Sequence, residues 1–269
     1  MNRAIIVSEM KKIVRSRSLL IFGLLLMVLL LSITSVQIFA LPATSSFTRY
    51  SASFLNVLLF LFPLFTLGMG AMSVASDIES RWFTLLRTYP IKIASYTWGK
   101  FVALICCFWL IVGMVYGLVL ILFSLKGLSH FDFLLFFLSL VIIVIFSSVS
   151  ILIGSVSQNR IHSLSLALGT WAFFLLIFDY LIMAVGTVVS GTMLKIFVMI
   201  LTFTNPAEWI RIGYILYSGN ATVLGPVYFD FANFFLAPVG ICVYLFICVL
   251  WVAIPIFVSG KILEKKEGR

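Results

Sequence analysis

Six apolar runs long enough to cross a bilayer constrain this chain more than any other feature. They cover about residues 19–40, 53–75, 101–125, 131–156, 163–189 and 234–258, and each reaches the roughly 20 residues that a helix needs to span the hydrocarbon core. The expected fold class is therefore all-α, a polytopic membrane protein with six transmembrane helices. Hydrophobic residues make up 63% of the sequence and charged residues 10%, whereas about a quarter of an ordinary soluble domain is charged. Six spans with short links fill a chain of 269 residues as a single transmembrane domain.

The net charge of +9 does not point to nucleic acid, because Lys and Arg sit in short clusters beside the apolar runs, where they report orientation. In a six-span arrangement, fourteen of them fall on the side of both termini and four (Arg49, Lys126, Lys195 and Arg211) on the other. The heavy side is expected to be cytoplasmic, with the lipid bilayer as the chain's main partner. Residues 2–17 read as an interfacial helix with Ile6, Met10, Ile13 and Val14 on one face and Lys11, Lys12, Arg15 and Arg17 largely elsewhere. The run after it is too long for a signal-peptide core and lacks a small-x-small cleavage site. Cys106, Cys107, Cys242 and Cys248 all lie in apolar runs, a placement that suits neither a disulfide framework nor a zinc site.

Between the second and third spans lies Ser76 to Lys100, SDIESRWFTLLRTYPIKIASYTWGK. Ser76 and Glu79 have the spacing of a capping box, so a helix is expected to start at Ser76. Ile78, Trp82, Leu85, Leu86 and Tyr89 recur at helical spacing, while Asp77, Glu79, Arg81 and Arg87 fill the other faces. Pro90 lacks the N–H needed to continue, which stops that helix near Thr88 or Tyr89. The segment reads either as a helix parked on the membrane surface or as an element pressed by a soluble motor. The sequence has no G-x-x-x-x-G-K-[ST], so a motor's nucleotide chemistry would belong to a partner. It also lacks H-E-x-x-H and G-x-S-x-G, and His130 and His162 fall on opposite sides of the expected topology. No catalytic residue and no metal site is expected.

Asp179 is the one strongly charged residue well inside a span, where a carboxylate costs about 2.5–3.5 kcal/mol on insertion scales. A hydrogen-bonded carboxyl that glues helices is the first reading and a site on a conformational pathway the second. Residues 193–203 are too short to cross and are expected to enter or line the outer leaflet, and Asn205-Pro206 opens a helix carrying Glu208, Trp209 and Arg211. That helix reads as an external docking surface or a gate cover, or as a helix resting at headgroup level. Met183, Met193 and Met199 form no tight methionine repeat that would bind a soft metal.

The acidic pair Asp77/Glu79 at the end of the second span, then Thr84-Leu85-Leu86, Thr88-Tyr89-Pro90 and Gly99-Lys100-Phe101, resembles the intracellular loop of ABC type 2 exporter permeases. The resemblance covers nearly the whole chain. Leu41-Pro42-Ala43-Thr44, the stretch Leu166 to Trp171 with Phe178-Asp179, and Asn205-Pro206-Ala207-Glu208 through Arg211 are similar to the NosY subgroup, permeases that serve copper-site maturation of nitrous oxide reductase. Phe83 stands where the family usually has glycine. The resemblance implies a homodimer in a prokaryotic cytoplasmic membrane and two copies of a separate ATP-binding subunit holding ATP and Mg. It also implies coupling through Ser76–Tyr89 and the N-terminal helix (Met10, Lys12, Arg15), and an extracytoplasmic partner on the insert. A secondary transporter would want more intramembrane charges or an internal repeat; a membrane scaffold anchoring an extracytoplasmic protein is the remaining alternative.

Overall fold

The computed structural model describes residues 2–40, 49–82, 93–125, 132–189, 191–225 and 228–266. Among them the chain forms ten α-helices and no strand: α1 (Asn2–Val14), α2 (Arg17–Ala40), α3 (Arg49–Glu79), α4 (Ile93–Leu125), α5 (Phe133–Val156), α6 (Arg160–Gly186), α7 (Gly191–Thr204), α8 (Pro206–Tyr217), α9 (Phe229–Leu236) and α10 (Pro238–Lys265). Six of these, α2 to α6 and α10, are long and apolar enough to cross a membrane. Their starts follow local chemistry. Asp132 caps α5 by accepting from the Leu135 N–H at 3.0 Å, and Asn159 caps α6 by accepting from the His162 N–H at 2.8 Å.

The bundle is built around α3 and α5. Of their most apolar stretches, 56% and 67% of residues are buried, against 6% for α6. Small residues let the two backbones approach, as expected where lipid offers no hydrophobic drive between helices. A Cβ on Gly154 would stand 2.7 Å from the Ala71 carbonyl oxygen, and one on Gly70 would collide with Ser150. The serines that this contact needs satisfy themselves: Ser148, Ser150 and Ser155 each donate to the carbonyl three residues earlier.

Phe146, Phe174 and Trp251 fix the middle of the bundle. Each lies near the centre of its span, and Phe174 sits 6.2 Å from Phe146 and 6.0 Å from Trp251 between ring centroids. Both ends of the described chain lie at one end of the bundle, here the terminal face. Tyr96 packs on Leu263 there, and Lys266 donates to the carbonyls of Val156 (3.2 Å) and Ser157 (2.7 Å) at the end of α5. Burial lowers the Lys266 pKa below the ordinary lysine value.

One expectation is corrected. No helix starts at Ser76: α3 runs through it to Glu79 and ends where Arg81 takes a left-handed φ of 56°. Ser76 already belongs to a formed helix, and its carbonyl accepts from the Ser80 N–H at 3.0 Å, so no helix start is left for a capping box to serve. The insert between the last two spans is a hairpin that enters the bundle without crossing it. α7 descends from the far face, Asn205 turns the chain by accepting from the N–H groups of Ala207 (2.9 Å) and Glu208 (3.4 Å), and α8 returns. At the tip, the Asn205 Nδ2 donates to the Phe174 carbonyl at 2.6 Å. Residues 173–177 are wound as a π-turn, which leaves carbonyls free of their usual helical partners.

Candidate functional site: a buried charge knot on the terminal face

The most polar place in the interior joins α1, α3 and α4. Lys100, only 1% exposed, points its ammonium at Asp77 Oδ2 (2.8 Å), Glu9 Oε2 (2.9 Å), and the Ser73 hydroxyl (2.8 Å) and carbonyl (3.2 Å). Asp77 also accepts from Lys12 at 2.9 Å on its other oxygen, and from the Tyr96 hydroxyl at 2.9 Å. Two carboxylates thus balance two ammonium groups. That matters because an isolated buried charge costs several kcal/mol, whereas a paired and fully hydrogen-bonded one roughly breaks even. Local sequence sets the approach: Gly99 lets α1 lie close, since a Cβ there would come within 2.8 Å of Ile5.

The knot sits beside the point where the chain leaves α3 for residues 83–92. A cavity of about 380 Å³ opens between α1 and that exit, lined by Glu9, Lys12, Asp77, Tyr96 and the half-exposed Trp82. Next to it, Glu79 accepts from the Arg160 backbone N–H at 3.0 Å and faces the Arg160 guanidinium at 3.5 Å, which ties the end of α3 to the start of α6. A displacement entering at the end of α3 therefore meets α1, α4 and α6 directly.

Of the residues that the sequence singles out, Asp77, Lys100 and Lys12 belong to the knot, and Glu79 and Trp82 border it. Met10 is half-buried against the core, its carbonyl 3.8 Å from the Cys107 Sγ, while Arg15 is exposed. Leu85, Leu86, Arg87, Tyr89 and Pro90 lie outside the described residues. Sequence reasoning missed Glu9, Ser73 and Tyr96. For Glu9 a signal existed: it follows Ile5 and precedes Ile13 by four residues each, so an acid interrupts the apolar stripe of α1.

A second charged group lies in the far half of the bundle. Arg211 pairs with Glu208 at 2.6 Å and reaches Asp179 at 4.0 Å, while Asp179 stays half-exposed. Asp179 thus has a charged partner, supplied from α8. Asn205, Pro206 and Trp209, expected on an outward docking surface, are buried, and the Trp209 ring stacks on Tyr244 at 4.9 Å. They face the protein because their helix lies inside the bundle. Among the described residues no group of three or more His, Cys, Asp or Glu is placed to hold a metal ion.

A profile of the ABC-2 family transporter proteins matches residues 3–267. The chain belongs to that family and is the membrane permease component of an ABC-2 type transporter, a transmembrane domain without the ATPase. Permeases of this kind generally work with an ATPase subunit that hydrolyses ATP. No curated protein matches the chain.

Proposed function

We propose that two copies of this chain form the membrane half of an ATP-driven exporter or mechanical transmission complex, powered by two copies of a separate ATP-binding subunit that carries ATP and Mg. The observation that carries this reading is the Glu9–Lys100–Asp77 knot. It locks the N-terminal helix to both helices flanking residues 83–92, so a subunit pressing on that segment moves α1, α3 and α4 together. The excess of Lys and Arg on the terminal face supports a cytoplasmic position for it and for both termini.

The second copy fits against α6. That helix is left almost uncovered by its own chain and exposes Ser165 and Asp179, side chains that lipid disfavours. The cargo reading that the residues favour is a NosY-type role in copper-site maturation of nitrous oxide reductase, with an extracytoplasmic partner protein on the far face. The far ends of α7 and α9, with exposed Met193 and Phe229, are what remains there for such a partner. Asp179 then serves as a helix-joining group within the far half of the bundle.

Purification in mild detergent tests the assembly: an ATPase of about 25–35 kDa, one or two domains in size, should co-purify, and a lone chain with activity driven by an ion gradient would sink the reading. Leu85→Asp or Leu86→Asp should abolish stimulation of the ATPase by the permease while leaving membrane insertion intact. Normal coupling in both variants would return that segment to a surface-resting role. Loss of the copper centre of nitrous oxide reductase on deletion, with other copper proteins intact, tests the cargo.

A further inference from the structure

A trough of about 1050 Å³ runs along the outside of the bundle, floored by α5 and walled by α4 and α10. It extends along α10 from Tyr244 to Gly260, about 24 Å at 1.5 Å per residue. Its lining is apolar for almost all of that length. The two charged lining residues, Lys261 and Glu264, both stand at the terminal end, where Trp98 forms part of the opposite wall. Trp109, further along that wall, bridges to the floor through its indole N–H on the Leu140 carbonyl at 3.2 Å.

The level of Lys261 in the bilayer follows from the mid-bundle ring cluster. Trp251 is ten residues away, so Lys261 lies about 15 Å from the middle, which is half of a hydrocarbon core of about 30 Å. Its ammonium is therefore at the depth of the lipid phosphates. It stands 4.5 Å over the Phe257 ring and has no carboxylate partner among the described residues. Lys265, exposed one turn on, adds a second cation against the single acid Glu264.

We propose that this trough holds an anionic phospholipid, its acyl chain against α5 and its phosphate on Lys261. An unpaired ammonium at phosphate depth, above a long apolar channel that is charged at one end only, selects a lipid over an apolar partner helix, which would leave the cation unmatched. Basic pockets between transmembrane helices recognise anionic headgroups by this chemistry. The placement in the cytoplasmic leaflet rests on the orientation proposed above, but the site itself does not.

Native mass spectrometry of the purified chain in micelles offered dioleoyl phosphatidylglycerol and dioleoyl phosphatidylcholine tests it, because sidedness does not enter and a reversed topology leaves the result unchanged. The wild type should retain phosphatidylglycerol in preference. Lys261→Gln should lower that preference about fivefold, the equivalent of about 1 kcal/mol for one cation. Gly260→Leu should weaken both lipids equally: a Cβ at Gly260 meets nothing within 4 Å, so the change takes space from the trough and not from the packing. Equal retention of the two lipids by the wild type, an unchanged preference in Lys261→Gln, or unchanged binding in Gly260→Leu would each overturn the proposal. So would disulfide cross-linking of Val249→Cys between two chains in membranes, which would show the trough covered by a second copy.

Discussion

The two clusters of Asp and Glu in this permease, one closed on lysines and one on an arginine, solve opposite problems. On the terminal face, Lys100 is enclosed by Glu9, Asp77 and Ser73 at 2.8–3.2 Å and is 1% exposed. In the far half, Arg211 holds Glu208 closely but Asp179 only at 4.0 Å, the Asp179 side chain is half-exposed, and the Arg211 Nε is buried with no hydrogen-bond partner among the described residues. The first arrangement has every charge answered and resists rearrangement. The second keeps spare capacity, with one carboxylate facing outward and one donor unspent, as a group that changes partners during a cycle would. Rigidity sits where force is proposed to enter, and adaptability where the bundle faces its second copy.

Breaking the closed knot should have the largest effect. Lys100→Met leaves Glu9 buried without a cation and Asp77 with Lys12 alone, and should cost about 3–5 kcal/mol, read as a fall in thermal unfolding temperature in detergent. The triple variant with Glu9→Gln and Asp77→Asn added should recover most of that loss. If it does not, Lys100 contributes by packing alone. Asn205→Ala comes next: it removes the α8 cap and leaves the Phe174 carbonyl unanswered at mid-bundle, for about 2 kcal/mol. Cysteine accessibility at the hairpin tip should rise with it.

Tyr96→Phe deletes one hydrogen bond to Asp77 and should cost about 1 kcal/mol, less than a third of the Lys100 effect. A larger value would mean that the hydroxyl, and not the ammonium, positions Asp77. The smallest change in stability is expected from Asp179→Asn, below about 1 kcal/mol because its pair with Arg211 is long and half-exposed. Transport and assembly separate the two roles of that residue: unchanged values leave it a helix-joining group, and a loss of transport with normal assembly places it on the conformational pathway.

The spans were legible because run length and backbone chemistry leave lipid-exposed segments little choice. The knot was half legible. Asp77 and Lys100 stand out as charges beside apolar runs, but Glu9 is 91 residues from Lys100 in the chain, and no local pattern announces a partner so far away. The Ser76/Glu79 spacing misled because a capping box describes a helix start, and nothing in four residues shows that the preceding span continues through them. Asn205-Pro206 correctly announced a helix start. Its depth depended on a carbonyl in the π-turn of α6, which no reading of the insert itself reveals.

The length of α4 has a mechanical side. Its 33 residues make a rod of about 50 Å, against a hydrocarbon core of about 30 Å, so some 20 Å of it stands clear of the apolar layer. A stiff rod clamped along its middle works as a lever: a tilt of about 10° moves its free terminal end by about 2 Å over the overhang of about 12 Å that precedes residue 101. The far end swings in the opposite sense. Lys100 grips the overhang and not the fulcrum, so α1 travels with the moving arm, and a small push at the start of α4 is converted into a shift at the opposite face without any helix having to unwind.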